Sequence, residues 1–292
     1  MELIKHSKNV HVLKLHGKSV KIAMLSDIHW DNPKCDWDYL KRHLDYCVKE
    51  NLPIMINGDF FCLMQGRGDK RSSKSDIRPE HNNSKYLDSI VETAVEWWSP
   101  YAHLLTVIGY GNHETAIIKW QETDILQRFV DLLNYKNGTS VQTGGYGGWL
   151  NIDQSYNVTC KSTTRIKYFH GSGGGGVVTK GAINLTRALE MCENFDVFTM
   201  GHIHENAARN DVRETMIFNS KTGYKIQHKD LHLMITGAYK EEYEDGSKGW
   251  HVERGAPAKP IGGRILTIDM NQVQNSGVRN TNKVIDSRKF PL

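Results

Sequence analysis

The chain has 292 residues, 39% of them hydrophobic and 24% charged, a mixture that excludes fibrous and intrinsically disordered classes. Its 37 Lys and Arg against 33 Asp and Glu leave a net charge of +4, too small for a nucleic-acid coat protein and compatible with an anionic substrate. No window approaches the roughly 18 apolar residues that cross a bilayer, and no apolar leader opens the chain, so the expectation is a cytoplasmic protein without a membrane partner. The five cysteines (Cys35, Cys47, Cys62, Cys160, Cys192) contain no CxxC pair and read as reduced, mostly structural thiols. Length and pattern suggest one domain over 1–292, with insertions at about 62–100 and 240–263 and a polar tail over 271–292.

In chain order, β-rich runs at 10–15 and 20–25 read as strands joined into a hairpin by His16-Gly17-Lys18, and the second ends in Ser26-Asp27-Ile28-His29. Trp37, Leu40, Leu44, Cys47 and Val48 give residues 36–50 a helical spacing, and a strand over 53–56 then stops at Asn57-Gly58-Asp59. Residues 65–83, with five basic and three acidic side chains, predict an inserted loop outside the core. A helix over 86–98 is followed by a strand over 104–108, which ends in Gly109-Tyr110-Gly111-Asn112-His113-Glu114, and by a helix over 116–133. Beyond a Gly-rich turn at 144–148, a strand over 164–169 leads into His170-Gly171-Ser172, and a helix covers 182–192. A strand over 195–200 stops at Gly201-His202-Ile203-His204, and residues 216–218 and 224–227 read as a hairpin around Lys221-Thr222-Gly223. Strands at 231–236 and 264–268 flank the polar insertion, and the tail after Met270 reads as frayed.

Five short motifs, Asp27-Ile28-His29, Gly58-Asp59, Gly111-Asn112-His113-Glu114, His170-Gly171 and Gly201-His202-Ile203-His204, each follow a predicted strand. Ligands collect at the carboxyl ends of strands in α/β sheets, so motifs far apart in sequence can share one cleft. Imidazole, carboxylate and carboxamide suit divalent Mn, Fe or Zn, and the DxH and HxH spacings put both side chains on one side of an extended segment. Any one motif alone is more often accidental, whereas five in order are not.

The five motifs together resemble the calcineurin-like metallophosphoesterase superfamily, marked by DxH, GD, GNH(D/E), H and GHxH in this order. The resemblance spans residues 27–204 and implies an α/β (α+β) fold, a four-layer α/β/β/α sandwich with a dinuclear metal site at strand C-terminal ends. It implies two divalent metal ions, manganese first, with iron, zinc or nickel as alternatives. Asp27, His29 and His204 would hold one, Asn112, His170 and His202 the other, and Asp59 would bridge them, positioning a hydroxide for in-line attack on a phosphoester. His113 would protonate the leaving oxygen or stabilise the transition state.

Departures from the superfamily bear on the substrate. Protein phosphatases of that superfamily carry GDxVDRG and RGNHE, whereas here Phe60-Phe61-Cys62 follows Asp59 and Tyr110 precedes the GNHE glycine, so both arginines are missing. Nuclease-like members usually carry GNHD, from which Glu114 departs. Arg67, Lys70, Arg71, Lys74 and Arg78 of the first insertion are candidates for lining a phosphate backbone, and Tyr243, Trp250 and His251 of the second for stacking on a base. A charged surface loop is usually only solvated. The leading expectation is a phosphodiesterase acting on nucleic acid or nucleotides. A phosphomonoesterase using other cations such as Arg78 or Lys180 is the alternative, and a non-catalytic binding module of the same fold the distant one. Gly171, Gly173 and Gly176 formally match GxGxxG, but no Walker lysine follows, and the run reads as a flexible wall of the cleft.

Overall fold

Apolar runs of the chain pair into two mixed sheets in a computed structural model that describes all residues except 65–71, 244–245, 248–249, 254, 276–277 and 292. At 250–251, 272–275 and 278–281 the description is of the backbone. The strands are β1 (Glu2–Ser7), β2 (Val10–His16), β3 (Ser19–Leu25), β4 (Ile54–Asn57), β5 (Leu105–Gly109), β6 (Gln142–Thr143), β7 (Gly147–Ser155), β8 (Lys161–Phe169), β9 (Val197–Met200), β10 (Ala207–Asn219), β11 (Gly223–Ile235), β12 (Arg264–Asn275) and β13 (Val278–Lys289). The helices are α1 (Trp37–Glu50), α2 (Tyr86–Trp98), α3 (Asn112–Gln121), α4 (Ile125–Asn137), α5 (Ala182–Met191) and the single turn α6 (Trp250–Glu253).

The first sheet runs β1-β2-β7-β8-β9-β11-β10 and the second β13-β12-β3-β4-β5-β6. In the second, β3, β4, β5 and β6 are parallel, and β4 and β5 are buried along their whole length, as strands covered on both faces are. Leu13, Leu150, Ile166 and Val197 of the first sheet meet Ile22, Met55, Val107 and Leu266 of the second in a shared core. Helices α1, α2 and α4 cover the outer face of the second sheet through Leu40, Ile90, Phe129 and their neighbours, and α5 covers part of the first through Leu185 and Ala188. The chain is thus a mixed α/β sandwich. Among the described residues no helix is long and apolar enough to cross a membrane. All five cysteines are free.

Several sequence expectations change. Residues 10–15 and 20–25 are strands but not a hairpin, because Leu13 and Ile22 both point into the inter-sheet core and their strands face each other across it. Gly17, at φ 142°, carries the chain from one sheet to the other and its N–H donates to the Ser155 carbonyl at 2.9 Å. The helix read over 116–133 is two helices. Glu122 turns left-handed at φ 52° to end α3, and the Asp124 carboxylate accepts the Gln127 N–H at 2.9 Å to start α4. The strands read at 224–227 and 231–236 are one continuous β11, and the tail read as frayed is strand β13, paired along β12. β1 and β7 were not foreseen. In the inserted loop, Ile77 and His81 are buried, so part of the 65–83 stretch packs on the core, while 65–71 lies outside the described residues.

Two core histidines give the fold a pH signature. Burial, aided by the Lys5 charge, pushes His11 down to about 4, and burial, aided by Arg42, pushes His43 down to about 4. The unfolded chain protonates both near 6.5, so their contribution is full above that value and is lost as pH falls toward 4, by about 2 kcal/mol for each between pH 8 and pH 5. Glu114 and His170 shift the other way, so the test is a comparison: between pH 8 and pH 5 the change in urea-unfolding stability of His43→Phe should differ from that of the parent by about 2 kcal/mol in the direction of less loss; an equal change in the two would contradict the buried neutral state.

Candidate metal centre

Five strands deliver donors to the open end of the sandwich. Asp27 and His29 follow β3, Asp59 follows β4, Asn112 and His113 open α3 just beyond β5, His170 follows β8, and His202 and His204 follow β9. Backbone bonds lace these ends together: Asp27 N–H to Gly58 O at 3.0 Å, His29 N–H to Asp59 O at 3.1 Å and Gly201 N–H to His170 O at 2.9 Å. Asp27, His29, Asp59, His202 and His204 all have φ between 47° and 66°. Residues with a Cβ adopt this left-handed region at a cost of about 1–2 kcal/mol each, and such strain gathers where function requires it. The DxH and HxH pairs therefore converge through left-handed turns and not along extended segments, as their spacing alone suggested.

The donors form two clusters. In one, His204 Nε2 lies 3.4 Å from His29 Nε2 and 3.5 Å from Asp27 Oδ1. In the other, His170 Nε2 lies 3.2 Å from Asp59 Oδ2 and 3.3 Å from Asn112 Oδ1, and His202 Nδ1 lies 2.8 Å from the same Asn112 oxygen. Ligands placed tetrahedrally at zinc-type bond lengths of about 2.1 Å would stand about 3.4 Å apart. The spacing and the donor chemistry both fit divalent cations. Asp27, His29, Asp59 and His170 are at most 2% exposed, while Asn112, His113, His202 and His204 form a half-buried rim.

Charge balance in the bare site follows from this crowding. Burial alone would raise the Asp59 carboxyl, but His170 and His113 beside it hold it well below the usual carboxylate range. Burial likewise opposes a charge on His170, and the Asp59 carboxylate outweighs it, lifting the imidazole to about 10. Burial, reinforced by His113, drives His29 far down, and burial with His170 lowers His202. An ionised carboxylate and a neutral imidazole are the forms in which such side chains bind a cation, so a cation held by His170 would displace the proton that Asp59 keeps on it.

Several supporting residues escaped the sequence reading. Glu114 is buried and its carboxylate accepts the N–H groups of Gly111 at 2.8 Å, Phe61 at 2.9 Å and Asp59 at 3.2 Å, tying the Asp59 turn to the start of α3. Burial and the nearby Asp59 charge push it up to about 8. Asp31 does the same for Cys62 N–H at 2.5 Å and Leu63 N–H at 2.8 Å. The Cys62 carbonyl accepts from His113 Nδ1 at 2.5 Å and so orients the ring, leaving Nε2 toward the site, 4.0 Å from Asp59 Oδ2. The Cys62 thiol, read from sequence as structural, groups with His29 and His113. Burial pushes this thiol up, and Asn32 Nδ2 donates to its sulfur at 3.2 Å. The only sequence cue to these partners was their closeness to the five motifs.

The candidate substrate contacts are placed unevenly. Arg78 lies over the Trp37 ring, 3.3 Å from its centroid, and bonds Glu80 at 2.7 Å. Arg67, Lys70 and Arg71 lie outside the described residues, as do the side chains of Trp250 and His251 on α6. Tyr243 does reach the site, lining a small pocket with His204, Lys240, Glu242, Lys259 and Pro260. Lys240 pairs with Glu242 at 2.6 Å and Lys259 with Glu205, so two cations that the sequence did not single out stand beside the metal-type donors.

Fold and site together define a two-sheet α/β protein with a convergent Asp/His/Asn donor cluster at its strand ends. No family model matches the chain, and no curated protein matches it. Among solved structures it is similar to Vps29 of Chaetomium thermophilum, at 9% identity over 93% of this chain and 100% of that one, with a TM-score of 0.32. It is also similar to GAP50, described as the anchor in the inner membrane complex of Plasmodium, at 11% identity over 93% of this chain and 90% of that one, with a TM-score of 0.37. The functional reading rests on the site's own geometry.

Gly58 provides a test of that geometry. It has φ 83°, and a Cβ there would stand 2.5 Å from His170 Nδ1 and 2.8 Å from both Gly111 N and Tyr110 O. Gly58→Ala is expected to lose more than about 3 kcal/mol in urea unfolding and to lower bound metal, whereas Gly138→Ala, at φ 64° with nothing within 4 Å, should lose only about 1–2 kcal/mol and leave metal content unchanged.

Proposed function

We propose that the chain is a metal-dependent phosphoester hydrolase, and that its preferred substrates are phosphodiesters of nucleic acids or nucleotides. The observation that carries this reading is the pair of three-residue donor clusters, Asp27-His29-His204 and Asp59-His170-His202, with Asn112 shared between His170 and His202. Asp27, His29 and His204 would hold one divalent ion, and Asn112, His170 and His202 the other, with Asp59 between them. Bound there, two such ions supply an acidified water and neutralise charge on phosphoryl oxygens.

The chain's own groups do the rest. The Cys62 carbonyl holds the proton on His113 Nδ1, so Nε2 is the atom that faces substrate; when the ring is an imidazolium its Nε2 proton passes to the departing oxygen and leaves the neutral Nδ1–H ring. The Asp59 carboxylate stays ionised beside it and accepts the His113 backbone N–H at 3.0 Å, which fixes that carboxylate at the head of α3. Lys240 and Lys259, each paired with a glutamate, line the pocket beside His204 into which a second ester arm would extend. The diester preference follows from the missing arginines after Asp59 and before Gly111, since a monoester dianion needs a stronger cationic grip than a diester monoanion.

The test is turnover of an aryl phosphodiester and of the matching monoester by metal-stripped protein with added Mn, with Asp59→Asn as control. Diester cleavage dependent on metal and on Asp59 is expected. Cleavage of the monoester alone would overturn the substrate class, and two bound metals without any cleavage would overturn the enzyme. His113→Ala should lower kcat by about 10²–10⁴-fold with metal content intact, whereas Asp59→Asn should lose both metals. Equal metal loss in the two variants would remove His113 from its role.

A further inference from the structure

Asp27 is fully buried, and the two oxygens of its carboxylate have different partners. The His202 N–H donates to both at 3.0 Å, Ser26 Oγ lies 2.5 Å from Oδ2, and Oδ1 stands 3.5 Å from His204 Nε2. One oxygen is thus turned to a buried hydroxyl and the other to the donors His29 and His204. Behind Ser26 lies a second buried hydroxyl, Thr236 Oγ1, at 2.6 Å. Ser26 follows β3 of one sheet and Thr236 follows β11 of the other, so the contact bridges the sandwich at its open end.

The directions of the two protons follow from their partners. Each hydroxyl has one proton to donate. Ser26 has the Asp27 carboxylate at 2.5 Å and the Thr236 carbonyl at 3.3 Å, so its proton goes to the carboxylate, the shorter and charge-assisted bond. The 2.6 Å contact must then carry the Thr236 proton, because two hydroxyl oxygens that close without a proton between them repel. The other acceptor within reach of Thr236 Oγ1 is the Met200 carbonyl, which is farther at 3.2 Å and already takes the Thr236 N–H at 2.9 Å. The result is a two-link chain from Thr236 to Ser26 to Asp27, in which each bond polarises the next. Gly201 makes room for it, since a β-carbon there would collide with Asp27 Oδ2 and Ser26 Oγ.

We propose that Ser26 and Thr236 are positioning residues of the metal centre, acting in series to present Asp27 Oδ1 to the cation shared with His29 and His204. The inference rests on the reading of Asp27 as a ligand. The carboxylate torsion of an aspartate is broad and close to two-fold, so by itself it offers either oxygen, or both, to an ion. The His202 N–H spans both oxygens and does not distinguish them, whereas the Ser26 hydroxyl engages Oδ2 alone. Thr236 in turn keeps the Ser26 proton on the carboxylate by donating to the Ser26 oxygen. Among the described contacts Thr236 Oγ1 bonds only Ser26 and the Met200 carbonyl, so its effect reaches the ion through Ser26. Ligating carboxylates are ordered by such outer partners, whose loss weakens a site by about 10–100-fold.

Calorimetric titration of the metal-stripped full chain with manganese tests the proposal. Thr236→Val keeps the side-chain shape and removes the hydroxyl; it should weaken one manganese site by about 10–100-fold with the circular dichroism of the parent, and Thr236→Ser should restore most of that affinity. Ser26→Ala should weaken the same site, and the double variant no further than Ser26→Ala alone, since a chain in series breaks once. Thr199, a fully buried threonine of β9 whose Oγ1 has no hydrogen-bond partner among the described residues, is the control: Thr199→Val should leave both sites unchanged. Parental affinity in Thr236→Val, equal weakening in Thr199→Val, additive losses in the double variant, or a parent chain that binds no manganese would each overturn it. The readout is binding, so a chain that binds manganese and hydrolyses nothing overturns the proposed activity alone.

Discussion

A buried carboxylate has to be answered by positive groups, and the open end of this sandwich is arranged around that requirement at Asp59. The residue is 2% exposed and stands at the head of α3, its Oδ1 on the His113 N–H and its Oδ2 against His170 from the opposite sheet. Three elements that arrive separately, β4, α3 and the end of β8, are held in register by one charge. Gly58 and Gly111 leave the room for it, since a β-carbon at either position would collide with the Asp59 turn or its neighbours. Glu114 closes the arrangement from beneath by taking the backbone N–H groups that the turn exposes.

This geometry is stored against a cost. Five donor residues in left-handed backbone amount to roughly 5–10 kcal/mol of strain, comparable with the whole net stability of an ordinary domain. The inter-sheet core and the helical layer around Leu40, Ile90 and Phe129 offset it, and both lie outside the cleft. Rigidity is therefore supplied by the body and spent at the rim, where His202 and His204 remain half-buried and reachable.

How much of this could be read from sequence depends on whether the cause is local. Helices over 36–50 and 86–98 were legible because their apolar spacing repeats with the helical period, and the strand ends because Asp, Asn and His follow short apolar runs abruptly. The seven donor positions were legible as residue types in order. Their left-handed turns were not, since the turns at Asp27 and His29 are held by backbone bonds to Gly58 and Asp59, about thirty residues further along the chain. The partition of β2 and β3 between sheets was equally hidden, because a glycine turn between two apolar runs looks the same whether the strands lie side by side or face to face. The orienting role of Cys62 is a backbone carbonyl's, and sequence says nothing of a carbonyl's direction.

The donors also have an order in time. Asp27, His29, Asp59 and Asn112 belong to the second sheet and are synthesised first, whereas His170, His202 and His204 come from the ends of β8 and β9 in the other sheet. Translation at about 5–20 residues per second separates Asn112 from His204 by roughly 5–20 s. During that interval the nascent chain carries carboxylates and a single imidazole ligand, a set that holds hard ions weakly and exchanges them freely. The complete nitrogen-rich set exists only after the two sheets have closed on each other, so a cation bound there would be selected by the folded protein and not by whatever cation meets the emerging chain.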